Sequence, residues 1–201
     1  MSQKLTICIA GESGRMGQEL VALIEQEKAL AKTKPFDRKK KALPACDVVI
    51  DFSLPEGLSS LLEACIKNKT PPVTGVTGLT ESQKKQLQKA AKQIPVLWSS
   101  NMSMGIATLK KMLHGLKPLS DCDFQIEETH HIRKKDLPSG TALTLQESLQ
   151  KAVGKKLPDP VSIRGGGVFG IHTIHVMGEE ETLTLTHSAL NRTVFARGAL
   201  A

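Results

Sequence analysis

The run KLTICIA at residues 4–10 is apolar and β-branched, without the alternation of a half-exposed strand, and predicts a strand buried on both faces. GESGRMG then breaks the pattern, and QELVALIEQEKAL places Leu20, Leu23 and Ile24 at the spacing of an amphipathic helix. The same order recurs. CDVVIDFS at 46–53 predicts a second strand, leading to Pro55 and a helix around GLSSLLEACIKN. PPVTGVTGLT predicts a third, followed by the helix ESQKKQLQKAAKQ and the segment IPVLWSSNMSMG. Strands alternating with helices predict a doubly wound parallel sheet, which binds ligands at the C-terminal ends of its strands.

After Gly105 the pattern changes. IATLKKMLHGLKPL reads as a helix, and DCDFQIEETH alternates Phe124 and Ile126 with polar neighbours, as a half-exposed strand does. HTIHVM at 172–177 and TLTLTH at 182–187, separated by GEEE, predict an antiparallel hairpin with one polar face. The expected fold is α/β: an N-terminal Rossmann-like doubly wound parallel sheet over 1–102, and a C-terminal α+β domain with a mixed or antiparallel sheet over 103–201. There is no internal repeat and no low-complexity linker.

Composition narrows the function classes. A chain of 201 residues that is 40% hydrophobic can bury two modest cores. Cys8, Cys46, Cys65 and Cys122 lie far apart with no CxxC pair, the usage of reduced thiols in a cytoplasmic protein. No apolar run approaches the ~20 residues that span a membrane, so no export or membrane anchoring is expected. Lys and Arg exceed Asp and Glu by 27 to 20, giving a net charge of +7 and a bias toward anionic partners. Aromatics are 3% and tyrosine is absent, so stacking platforms for single strands are scarce, and no helix-turn-helix or zinc-finger pattern is present. A basic nucleic-acid-binding module is one class that this charge leaves open, with salt-dependent affinity. The densest basic run, DRKKK at 37–41, reads as a solvated loop.

Two stretches carry chemistry. In the strand, turn and helix of the first unit, Gly11 can make the tight turn, Gly14 lets backbone approach a pyrophosphate, and Gly17 permits close packing of helix on sheet. Its middle glycine falls one residue later than in GxGxxG, and the strand-to-helix context is what points to a dinucleotide. In ETHHIRKKDLPSGTA at 128–142, Ser139 to Thr141 suit a helix start, with Ala142, Leu145 and Leu149 on one helix face. Capping alone does not require His130, His131, Arg133, Lys134 and Lys135 in the preceding loop. Helix N–H groups beside cationic side chains suit a small carboxylate-bearing ligand. His172 and His175, three apart on a strand, point to opposite faces and make poor metal co-ligands, so no metal is expected.

At HHIRKKDLPSGTA the chain resembles the dihydrodipicolinate reductase family, whose HHxxKxDxPSGTA signature is matched at every defined position from His130 to Ala142. The likeness also covers GxxGRMG, VVIDFSLPEG, GVTG, SSNMSMG and SIRGGGVFGIHTIHV, in order through nearly the whole chain. It implies hydride transfer from NADH or NADPH to a cyclic dicarboxylate imine-type substrate in the diaminopimelate and lysine pathway, with two domains closing over the ligands and a homotetramer built through the second domain's sheet. By motif, Gly11, Glu12, Ser13, Gly14, Arg15 and Met16 would hold the cofactor, together with Gly75, Val76, Thr77, Ser99, Ser100, Asn101 and Met102. His130 and Lys134 would take the acid/base and proton-donor positions, and His131, Gly140 and Thr141 would hold substrate carboxylate. The connection AKTKPFDRKKKALPA is shorter than in typical relatives, and no second strand ending in an acidic ribose ligand is visible in it, leaving Asp37 and Arg38 as candidates. Relatives continue past FARGAL with a helix and a return segment on the cofactor domain, where this chain stops at Ala201. A family member that binds dinucleotide but turns over poorly is therefore a second expectation.

Overall fold

The computed structural model describes residues 4–37 and 42–201, so the basic residues from Arg38 to Lys41 lie outside the described residues. The chain divides into two compact units, 1–102 with 195–201, and 103–194. The last seven residues thus depart from the expected boundary at 103–201.

The first unit is a five-stranded parallel sheet in the order β2-β1-β3-β4-β5. Its strands are β1 (Leu5–Ala10), β2 (Leu30–Lys32), β3 (Val48–Asp51), β4 (Pro72–Thr74) and β5 (Leu97–Trp98). Its helices are α1 (Arg15–Gln26), α2 (Leu58–Asn68) and α3 (Glu81–Ala90), joined from the far end of the chain by α6 (Thr193–Leu200). Strand alternation divides β1 between two cores. Ile7 and Ile9 pack with Leu20, Leu23 and Ile24 of α1 and with Ala196 of α6. Cys8 and Ala10 face the other way, onto Leu61 and Cys65 of α2. Ala196 has no exposure, which is why the last residues belong here and not with the second domain. All four cysteines are free thiols.

The sequence pattern missed β2. It is a three-residue edge strand with no fully buried position, so it leaves no periodic apolar signal. Backbone bonds hold it to β1, from Leu5 N–H to Ala29 O at 2.9 Å and from Thr33 N–H to Ile7 O at 2.9 Å. Its last residue, Lys32, is thereby placed at the C-terminal edge of the sheet.

The second unit starts with α4 (Met104–Met112), continued by a 3-10 stretch at Leu113–Leu119, where the sequence suggested one unbroken helix. Strand β6 (Asp123–His130), helix α5 (Gly140–Val153) and strands β7 (Val161–Arg164), β8 (Ile171–Met177) and β9 (Thr182–Ser188) follow. The sheet order is β7-β6-β8-β9, with β7 parallel to β6 and the other pairs antiparallel, so the sheet is mixed. One face carries Phe124, Ile126, Ile174 and Val176 against Leu109, Leu113, Leu145 and Leu149. Each such aliphatic side chain contributes about 1.5–3 kcal/mol on burial. The opposite face exposes Val161, Ile163 and Met177 beside the threonines of β9. Among the described residues no helix is long and apolar enough to cross a membrane.

Candidate active site

Three turns meet the C-terminal edge of the parallel sheet. Gly11 to Met16 follow β1, Gly75 to Thr77 follow β4, and Ser99 to Met102 follow β5. Gly11 takes φ +83, a conformation that favours glycine, and Gly14 N–H closes the turn on Gly11 O at 2.9 Å. Gly17 is buried so tightly that a Cβ would lie 2.3 Å from Gly11 O and 2.5 Å from Glu12 Cα. Helix α1 starts at Gly14 with no side chain capping it and no acid in its first turn. Its N-terminus can therefore accept a pyrophosphate without displacing a resident group. A cavity of about 390 Å³ lined by Gly11, Glu12, Ser13, Gln18, Pro35 and Phe36 adjoins the turn.

The predicted cofactor residues are not equivalent. Glu12 is held by Lys32 Nζ at 3.0 and 3.2 Å. Met16 packs against the core formed by Ile7, Leu20 and Ile24, leaving its backbone rather than its side chain at the turn. Gly75 makes room for the Phe52 ring, because a Cβ there would fall 2.3 Å from Phe52 Cε1. Val76 is buried and its carbonyl accepts from Trp98 Nε1 at 3.0 Å. Ser99 and Asn101 close their own turn, with Asn101 N–H donating to Ser99 Oγ at 3.2 Å.

In the second unit the inward positions of β6 run Phe124, Ile126, Glu128, His130, so an apolar row becomes an ionisable one at the strand's C-terminal end. Register brings Ser162 opposite Glu128 and Arg164 opposite His130 from β7, and His172 opposite Glu128 from β8. The Glu128 carboxylate has no exposure. Arg164 grips it with Nη1 at 2.9 Å and Nη2 at 2.6 Å, Ser162 Oγ donates at 2.7 Å, and Ser139 N–H at 3.2 Å. His130 Nδ1 is also bonded to it. Burial opposes ionisation, but the hydrogen bonds from Arg164, Ser162 and His130 outweigh it and hold the carboxyl down at about 2.

Burial lowers the proton affinity of His130, and the Lys134 and Arg164 charges lower it further against the opposing pull of Glu128. Burial and the neighbouring His130 bring His172 down to about 3. The two imidazoles meet edge to face at 5.1 Å, and His172 Nε2 lies 3.2 Å from Ser139 Oγ. His131 is lowered by burial and by Arg133, with Lys134 and Arg192 adding to it. Three buried side-chain nitrogens here, His131 Nδ1, Arg164 Nε and His172 Nδ1, have no hydrogen-bond partner among the described residues. Natural proteins rarely leave such atoms unpaired, so water or a ligand is what can complete them.

These two units match known proteins as a whole. Residues 5–102 match the family model described as dihydrodipicolinate reductase, N-terminus, and residues 105–201 match that of its C-terminus. The 4-hydroxy-tetrahydrodipicolinate reductase of Bdellovibrio bacteriovorus is 51% identical, over 98% of this chain and 88% of its own. The chain belongs to the dihydrodipicolinate reductase family. The reductase of the same name from Xylella fastidiosa is 40% identical, over the whole of this chain and 92% of its own. Among solved structures, the dipicolinate-bound dihydrodipicolinate reductase of Paenisporosarcina sp. TG-14 aligns with a TM-score of 0.77 and 22% identity, over 98% of this chain and 92% of that one. A nicotinamide cofactor is what this reductase family and its dinucleotide fold imply, and the uncapped turn at Gly11 to Gly17 fits it.

Within the family signature, the N-terminus of α5 is filled from inside the chain. Lys134 Nζ pairs with Asp136 Oδ1 at 2.8 Å, and Asp136 also accepts from the Gly140 backbone. Burial opposes ionisation of Asp136, but Lys134 and the Gly140 amide outweigh it and hold its carboxyl below the usual range. Ser139 Oγ takes the Ala142 N–H at 3.2 Å, and Thr141 is buried. The sequence expected open N–H groups here, and two of them have internal acceptors. Glu128, Arg164 and Asp136 join the site through the fold, although Glu128 stands only two residues before His130. Alternation along β6 was the available signal for Glu128, whereas nothing local marks Arg164.

Proposed function

We propose that the protein reduces 4-hydroxy-tetrahydrodipicolinate to tetrahydrodipicolinate with NADH or NADPH, a cytoplasmic step of diaminopimelate and lysine biosynthesis. The observation that carries the reading is the family signature built around a buried carboxylate, with His130 anchored on Glu128 and Lys134 acting electrostatically on His130. The balanced reaction consumes one reduced nicotinamide and one proton and releases oxidised nicotinamide and water.

When bound, the nicotinamide supplies a hydride to a ring carbon of the substrate. The chain's residues do the rest. Gly11 to Met16, with Gly75 to Thr77 and Ser99 to Met102, hold the dinucleotide. Lys134 delivers the proton that the reduced ring needs, and His130 serves as the acid/base partner. His131, Gly140 and Thr141 take a substrate carboxylate, which displaces Asp136 from Lys134 and the Gly140 N–H. Lys134, Arg133 and Arg192, whose guanidinium lies 5.0 Å over the Phe169 ring, supply positive charge for a dianion.

For cofactor choice, Lys32 at the end of β2 stands where such folds read the adenosine ribose. Its pairing with Glu12 supports use of both cofactors. A ribose hydroxyl can donate to Glu12, and a 2′-phosphate can take Lys32, so NADPH binds at least as tightly as NADH. The exposed face of Val161, Ile163 and Met177 supports a homotetramer built through the second unit's sheet, which light scattering tests by mass.

The deciding assay follows nicotinamide absorbance after addition of freshly generated dihydrodipicolinate synthase product. Absorbance falls only when that product is present. Folded protein that neither turns over nor binds dinucleotide refutes the reading.

A further inference from the structure

We propose that Glu128 is a positioning residue that fixes the proton of neutral His130 on Nδ1 and so leaves the Nε2 lone pair as its working end. The inference rests on the reading of His130 as the acid/base group. Glu128 Oε1 accepts from Arg164 Nη2, Ser162 Oγ and Ser139 N–H, and Oε2 accepts from Arg164 Nη1. Guanidinium and amide groups can only donate, and four donors converging on the two oxygens, two of them from one guanidinium, favour the ionised carboxylate, which can only accept. His130 Nδ1, bonded to the same Oε2, must therefore be the donor. The neutral ring then has a single tautomer, with Nε2 as acceptor.

The surroundings keep that arrangement usable. Gly170, with φ +151, approaches so closely that a Cβ would sit 3.0 Å from His130 Nε2, so any other residue would crowd the working nitrogen. The charged and titratable groups facing the ring are Glu128 on β6, Lys134 in the following loop, Arg164 on β7 and His172 on β8. Glu128 is the anion among them. It sets the tautomer while the ring is neutral and stabilises the imidazolium once Nε2 has taken a proton. A purely structural carboxylate would tie β6 to β7 and to Ser139 with no consequence for the imidazole proton.

Nitrogen-15 NMR of histidine-labelled, ligand-free protein reads the tautomer directly. Near neutral pH His130 gives a protonated Nδ1 and an unprotonated Nε2. Finding the proton on Nε2 in the wild type overturns the proposal whatever any variant does. Glu128→Gln removes the exclusive preference, because its amide can donate to Nδ1, and it lowers the His130 pKa. It reduces kcat by about tenfold to a hundredfold while KM for the dicarboxylate changes less than threefold or so. Val153→Ala destabilises the same unit from the far end of α5, away from Glu128 and His130, so it keeps both the tautomer and kcat and serves as the stability control. Equal kcat losses in folded Glu128→Gln and Val153→Ala also overturn the proposal. His130→Gln with full turnover would instead refute the role given to His130 in the proposed function, and the wild-type tautomer would still decide what Glu128 does to its proton.

Discussion

The two units bury carboxylates in opposite ways. In the first, Asp51 is fully buried and accepts from Ser53 N–H at 2.9 Å and Thr74 Oγ1 at 3.1 Å, both neutral donors. Burial wins there and pushes its carboxyl up. In the second, Glu128 is as buried but meets a guanidinium and an imidazole, and its carboxyl falls to about 2. The same contrast governs the two candidate sites. The dinucleotide turn consists of backbone amides and close glycine contacts, with Asp51 behind it. The signature site consists of ionisable side chains fixed by other ionisable side chains. Backbone sites are sensitive to added volume, whereas side-chain sites are sensitive to lost charge.

Lost charge in the second unit should have the largest effect. Lys134→Ala is expected to lower turnover by on the order of a hundredfold, the scale of a missing general acid, with dinucleotide affinity in a direct binding titration nearly intact. Unchanged turnover would take Lys134 out of the chemistry.

Acid comes next. The ordinary histidine pKa is 6.5 and that of His172 is about 3, so between these values the unfolded chain binds a proton that the folded one refuses. Stability is full above the upper value and falls as pH drops toward the lower, by up to about 1.4 kcal/mol per pH unit. Below about 4.5 Glu128 adds to the loss, because its carboxylate must be protonated out of its bonds. Asp51 works the other way, since its raised pKa makes protonation easier in the folded state. Amide hydrogen exchange at falling pH should therefore lose protection in β6 and β8 before β1 and β3. Simultaneous loss would erase the difference between the units.

Added volume tests the first unit. Gly17→Ala should destabilise it by about 1–3 kcal/mol, since a Cβ there meets backbone that cannot swing aside, and should weaken dinucleotide binding in parallel. The smallest effect belongs to Lys32→Ala, whose partly exposed charge should change NADPH affinity by about two- to fivefold at low salt, and by less as salt is added. Calorimetry with both cofactors measures it.

What the sequence revealed follows from the range of its signals. Ile7 and Ile9 against Cys8 and Ala10 announce a strand buried on both faces, and Ser139 ahead of Ala142, Leu145 and Leu149 announces α5, because alternation and capping act over a few residues. The edge strands β2 and β7 were missed, being too short and too exposed to carry a period. With β2 goes Lys32, and the sequence alone offers only Asp37 and Arg38 as ribose ligands. With β7 went Ser162 and Arg164. Their meeting with Glu128 depends on strand register across 34 and 36 residues, which no local pattern encodes. The destination of Ala196 is likewise a long-range fact: nothing in FARGAL says which core it completes.

That destination makes the first unit discontinuous in time as well as in sequence. On the ribosome, β1, α1 and the other strands emerge early, yet the apolar ground prepared by Ile7, Leu20 and Ile24 waits for Ala196, at the far end of the chain. The second unit, continuous over 103–194, has all of its parts before then. The first unit thus receives Ala196 only after residues 103–194 have been synthesised, so its two pieces bracket the second unit in time.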